Sequence, residues 1–187
     1  MVFVGAIRSI RDSGRGAPHN GLGITLPNQL RARARWQEIS ALYSSKIDAY
    51  LADNAAATAD DDDDDVDNSS EPPSLYDMFK VGQLVRCIVV AVTPSEKHGV
   101  AIEVSLRPSL LNSSGRFSFT ALEPGSFVCG TVQSEEDNGW VVSFEAEGKG
   151  TGFISRKDAI EHQQQLVAGA VRVVASACES VCRLPRC

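Results

Sequence analysis

The sequence predicts an all-β protein: two small five-stranded barrels in tandem, the second short of its last strand, with a disordered acidic insertion inside the first. Three observations lead there. Most apolar residues fall in short alternating runs separated by Gly, Pro and polar clusters, the pattern of half-buried strands. Three such runs precede a stretch of aspartates, and only two follow it before a fresh Pro-Gly opening. Neither three strands nor two would hide their edges, whereas five closed into a barrel do.

Taken in order, "VFVGAIRSI" (2–10) is a strand with a mid-strand glycine, "LGITLP" (22–27) alternates and stops at proline, and "LRARARW" (30–36) alternates strictly. Apolar residues at 36, 39, 42, 43, 47, 50 and 51 predict one short helix over 35–53. Six consecutive aspartates, 60–65, repel one another and bury nothing, so this stretch is expected to be disordered. Strands four and five are 81–92 and "VAIEVSL" (100–106), joined by a turn-like "TPSEKHG". The second pattern opens at Pro124-Gly125 and supplies 126–134, 139–144, 150–155 and 165–176, after which "ACESVCRLPRC" offers no fifth strand. The domains are thus expected at 1–110, interrupted by helix and insertion at 40–74, and at 120–176, with an irregular tail at 177–187. The shortfall points to a fragment or a truncated gene model. A rival reading begins a domain at Phe79 and leaves 1–50 without a partner.

The net charge of −6 is unevenly placed. Residues 1–50 carry seven Lys/Arg against three Asp/Glu, residues 51–77 none against ten, and residues 78–187 eleven against eleven. All the net acidity sits in one stretch, so composition raises no objection to an anionic partner elsewhere. Five cysteines without CxxC spacing give neither a zinc site nor a disulfide framework, and Cys87 and Cys129 fall at inward strand positions. The start "MVFVGAIRSI" lacks a basic region and a cleavage site, and no run reaches membrane-spanning length; a reducing interior is expected, with the Asn68 and Asn112 sequons silent. His19, His98 and His162 form no catalytic motif, and "GKGTG" (148–152) lacks the upstream glycine and following helix of a phosphate loop. A non-enzymatic protein without cofactor or metal is expected.

"PGSFVCGTVQSEEDNGWVVSF", "GTGFISRKDA" and "FKVGQLVRCIVVAV…VAIEVSLRPSLL" resemble the S1-type RNA-binding repeat, an oligonucleotide-binding (OB) barrel. More narrowly, "LYDMFKVGQLVRCIVV", "VSLRPSLLN" and "TGFISRKDA" resemble the N-terminal repeats of the ribosomal RNA-processing protein 5 family. The resemblance implies a nucleolar protein of small-subunit ribosome assembly. Its partners would be RNA, either pre-ribosomal or small nucleolar, and other assembly proteins, with no membrane and no small-molecule substrate. The family stacks bases on aromatics of the second strand, which here are Asn138 and Val141, and follows Gly-Phe-Val with a histidine, which here is Ser155. Lost stacking is worth ~1–3 kcal/mol per base.

What remains as candidate RNA contacts is a row of Arg31, Arg33 and Arg35, spaced ~6–7 Å along one strand face, with Trp36 beside it; then Arg107, Trp140, Phe153, Ser155, Arg156 and Lys157. Trp140 shares parity with Phe144, which favours the barrel core for both. The competing reading is a protein-interaction scaffold with little RNA contact. The face bearing residues 138, 141 and 155 separates the two, since cations and aromatics there favour RNA and a dry apolar patch favours protein.

Overall fold

A computed structural model of the chain describes residues 1–14, 16–57, 71–95, 99–113, 126–145, 150–157 and 171–176. Its first unit contains strands β1 (Val2–Arg11), β2 (Gly21–Thr25) and β3 (Arg31–Arg35), then helices α1 (Ala41–Ala57) and α2 (Leu75–Met78), then β4 (Leu84–Ser95) and β5 (Gly99–Ser105). These five strands close into one barrel in the order β1-β2-β3-β5-β4, the OB arrangement. Among the described residues the only parallel pair is β3 with β5, in register at Ala32/Ile102 and Arg33/Glu103. The stretch at Phe79 therefore leads into the fourth strand of a barrel begun at residue 2.

Strand alternation builds the interior. Ile7, Leu22, Ile24, Ala32, Ala34, Val85, Cys87 and Val104 point inward, and Ile39, Tyr43, Ile47, Leu75, Met78 and Phe79 plug the barrel. Trp36–Glu38 forms a single 3-10 turn, and α1 starts only at Ala41, later than the predicted 35. The cause is local: the Ser40 hydroxyl accepts the Tyr43 N–H at 3.1 Å, an N-terminal cap. The short helix α2 carries a capping box at Ser74 and Asp77. Its N-terminus is stapled to the β1 end, because Asp12 accepts the Ser74 hydroxyl at 2.7 Å and the Leu75 N–H at 2.8 Å. The expected turn at "TPSEKHG" is shorter than predicted. The β4–β5 ladder runs on to Ser95/Gly99, so the two strands project past their neighbours as a ribbon.

Helix α3 (Pro108–Ser113) leads out of the barrel toward the second sheet, made of β6 (Ser126–Glu136), β7 (Gly139–Ser143), β8 (Thr151–Ser155) and β9 (Val171–Ser176) in the order β8-β7-β6-β9. This is the order of the first barrel with β5 left out, so among the described residues β8 and β9 are edges. The repeat extends to register. Ala6/Thr25 and Gly21/Arg35 in the first unit match Thr131/Ser143 and Gly139/Ser155 in the second. Both first strands bulge at the same place, between Ile7 and Ser9 and between Val132 and Ser134. A side chain on Gly5 would strike Ile24, and one on Gly130 would strike its counterpart Val142, so each glycine lets a sharply coiled first strand approach the second.

Asn112 joins the units. Its buried amide donates to the carbonyls of Cys129 at 2.9 Å and Phe144 at 2.7 Å, and its oxygen accepts the Cys129 N–H at 3.2 Å. Asn112→Ala leaves these backbone groups unpaired and is expected to destabilise the second sheet by about 2 kcal/mol, read as an earlier urea transition in tryptophan fluorescence. Cys87 and Cys129 are both free, buried thiols, but only Cys87 holds the inward strand position expected of it. Cys129 is the counterpart of Val4 on the outer face of β6, and it is buried because that face meets Arg86 of the first barrel. Burial raises the Cys87 thiol from 9.0 to about 11. The unfolded chain releases this proton first, so that contribution to stability is intact below pH 9 and falls as pH climbs from 9.0 to about 11. Native protein should accordingly resist a maleimide at Cys87 at neutral pH and react once unfolded.

The acidic run 60–65, the Pro124-Gly125 opening, His98, His162 and the tail 177–187 lie outside the described residues.

Candidate nucleic-acid interface

The outer face of β1, β2 and β3 forms a trough. Register places Arg11, Gly21 and Arg35 in one cross-strand row, and Ser9, Gly23 and Arg33 in the next. Side chains of paired residues share a face, and Arg11, Arg31 and Arg35 are exposed while Ala32 and Ala34 are buried. The middle strand thus contributes bare backbone at Gly21 and Gly23, flanked by β1 on one bank and β3 on the other. Strand spacing sets the banks about 10 Å apart at the backbone. The projecting end of β5, Gly99–Ile102, walls the β3 side, and the whole groove encloses about 700 Å³.

Gly21 is fixed in this role. Its φ of +146° is a left-handed value, and a side chain there would strike the Ala34 carbonyl. At Gly23 the only obstacle to a side chain is the flexible Ser9 hydroxyl that leans over it.

The arginine row is outward, as the alternation of β3 requires, but its members differ. The Arg31 side chain has no ion pair or hydrogen bond among the described residues. The Arg33 side chain donates among them only to the Pro18 carbonyl, at 3.3 Å. Arg35 is held by Glu103 at 2.5 Å. Arg11, which the sequence reading did not single out, lines the groove from the opposite bank. Strict alternation from the buried Ile7 would have sent Ser9 and Arg11 inward; the bulge between Ile7 and Ser9 turns them out. The three-residue step between buried Ile7 and Ile10 was the signal.

Several expected contacts belong to the scaffold instead. Trp36 shares parity with Ala32 and Ala34 and is 6% exposed in the core, so it offers no ring to a base. Trp140 is 1% exposed and lies inside with Phe144, as their parity indicated. Arg107 donates from Nε to the Gln37 carbonyl at 2.8 Å, clasping the end of β5 to the turn after β3. Arg156 lies 5.0 Å over the Trp140 ring, pairs with Glu135 at 2.8 Å and donates to the Asp137 carbonyl, which closes the β6–β7 turn. Phe153, Ser155 and Lys157 remain on the outside of the second sheet. Register puts Phe153 opposite Val141, at the position Arg33 holds in the first unit, and the ring rests against Gly139.

Among the described residues no group of three or more His, Cys, Asp or Glu could hold a metal ion, and no helix is long and apolar enough to cross a membrane.

No protein-family model matches the chain. It is 30% identical over 149 residues to the mouse protein named Protein RRP5 homolog, a span of 80% of this chain and 7% of that protein. It is 33% identical over 147 residues to the rRNA biogenesis protein rrp5 of Schizosaccharomyces pombe, covering 73% of this chain and 8% of that protein. The RRP5 of Arabidopsis thaliana is 32% identical over 155 residues, 79% of this chain and 7% of its own length. The chain spans less than a tenth of the length of these curated relatives. Four-fifths of this chain is homologous to one short segment of the RRP5 proteins.

Proposed function

We propose that the chain is a non-enzymatic RNA-binding module of a ribosome biogenesis factor, acting in the nucleolus on pre-ribosomal or small nucleolar RNA beside other assembly proteins. The observation that carries this reading is the glycine-floored trough with arginines converging from both banks. Two of them, Arg11 and Arg31, have no counter-charge among the described residues. Phosphates are the ligands such a channel suits, because guanidinium groups bind them through charge-assisted, geometrically matched hydrogen bonds. The homology agrees with this in kind, since the relatives are named for rRNA biogenesis.

The test is binding of the whole chain to single-stranded RNA at two salt concentrations. Affinity should fall steeply with salt. Salt-independent or absent binding by folded protein would overturn the proposal.

A second reading has its own observation. On the outside of β1 and β4, Val4 and Leu84 are 54% and 70% exposed, and Val81, three residues before Leu84, is 65% exposed. This apolar ridge adjoins the region where Arg86 meets Cys129 of the second sheet. It suits a protein surface, and the two readings occupy different faces. Leu84→Asp should abolish recruitment of an assembly protein while leaving RNA affinity unchanged.

A further inference from the structure

We infer that the trough holds an RNA single strand backbone inward and bases outward, so that the bound strand stays competent to pair with a second strand. This rests on the RNA-binding reading above and specifies the orientation and consequence of binding at the same site.

Orientation follows from what the floor and banks offer. A base laid on a sheet is retained by a ring or hydrophobic side chain beneath it. Beneath this trough stand Gly21 and Gly23, which present only peptide backbone. Among the described residues no aromatic side chain lines the groove, and Trp36, the nearest in sequence, faces the core; the exposed apolar side chains that line it, Leu30 and Val100, belong to the β3 and β5 wall and not to the β2 floor. The second sheet supplies the contrast. It carries Phe153 at the position of Arg33, so the same register accommodates either an aromatic or a cation, and the first barrel has the cation.

The banks favour the opposite end of the nucleotide. Arg11 rises from β1, and Arg31 and Arg33 from β3, on either side of a channel about 10 Å wide at the backbone. Charges on both sides of a narrow channel reinforce each other along its axis, where a line of phosphates gains most. Ser9 adds a hydroxyl at the floor's edge, able to donate to a phosphate oxygen. With the backbone seated between the banks, sugars and bases project away from the protein. Their Watson–Crick edges then face solvent. Binding in this orientation is independent of sequence, and a complementary strand approaches from the open side without displacing the protein. The surface is thereby suited to presenting a strand for RNA–RNA pairing.

Three measurements on the full chain test this. Footprinting of an unstructured mixed-sequence RNA should show phosphates protected from ethylnitrosourea while adenine and cytosine edges stay reactive to dimethyl sulfate. Protected base edges would overturn the orientation and leave RNA binding standing; protection of neither would remove both. Gly23→Phe puts a ring on the floor without changing charge, at a position where the Ser9 hydroxyl is the one close neighbour of an added Cβ. Backbone-inward binding should then weaken by about tenfold, whereas a base-inward strand should gain affinity of a similar size by stacking. Tighter binding would sink the inference. Ser9→Gly/Gly23→Phe gives the same reading with the hydroxyl removed, should the single variant fold poorly. Finally, a labelled complementary strand added to the complex should form a ternary species, and release of the protein would count against strand presentation.

Discussion

Replacing Arg11, Arg31 and Arg33 with alanine together should lower single-stranded RNA affinity roughly 100-fold at low salt, taking about 1 kcal/mol for each exposed contact. The same triple variant should make the log–log salt slope shallower by about 2, since each phosphate contact on a single strand contributes about 0.7. The three arginines line the groove from two strands. Their side chains point out of the barrel, and surface substitutions of this kind move stability by about 0.5 kcal/mol or less, so a thermal melt should be nearly unchanged. Arg35→Ala is the internal control. Its guanidinium is already engaged by Glu103, and its removal should shift the slope by less than one contact. A triple variant that keeps both affinity and slope would move the RNA site elsewhere.

That prediction names Arg11 in place of Arg35, and the change shows where sequence reading reached its limit. The outward row on β3 was legible because strict alternation of arginine with alanine leaves one assignment in which small apolar residues fill the core. Arg11 was not, because a bulge reverses parity in mid-strand. Two apolar residues three apart, Ile7 and Ile10, hint at a bulge without excluding a strand end. The engagements of Arg107 and Arg156 were not legible either, for a different reason. Each is committed to backbone carbonyls, Gln37 for one and Asp137 for the other, that lie far away in sequence and carry no sequence signature. Trp36 was misread by proximity: it follows the arginine row in sequence, but its parity is that of the alanines. The strand count survived all this because it depends on how many strands exist, and a barrel's closure is insensitive to where each strand begins.

Closure has a consequence for the chain as a whole. A chain cut within residues 58–70 should yield two pieces that do not fold separately and that recover the barrel when mixed. The N-terminal piece holds β1, β2 and β3 with α1, and the C-terminal piece holds β4 and β5 of the barrel together with the second sheet. Apart, the first would expose both edges of a three-stranded sheet and the inner face of Ile7, Leu22, Ile24, Tyr43 and Ile47; the second would expose Phe79, Cys87, Val104 and Leu106. The pieces are joined by β1–β4 and β3–β5 pairing, by the Leu106 N–H to the Glu38 carbonyl at 2.7 Å, and by the Tyr43 hydroxyl to the Pro73 carbonyl at 3.3 Å. Asp12 adds its grip on Ser74 and Leu75. These contacts hold the pieces together without a covalent link, at an entropic cost that rises only slowly with the length of the connection they replace. Protection of the buried Cys87 thiol from a maleimide, located by mass spectrometry, reads the outcome in each piece and in the mixture: it should appear only on mixing. A C-terminal piece that protects Cys87 by itself would revive the domain beginning at Phe79 and make β1 to β3 an appendage.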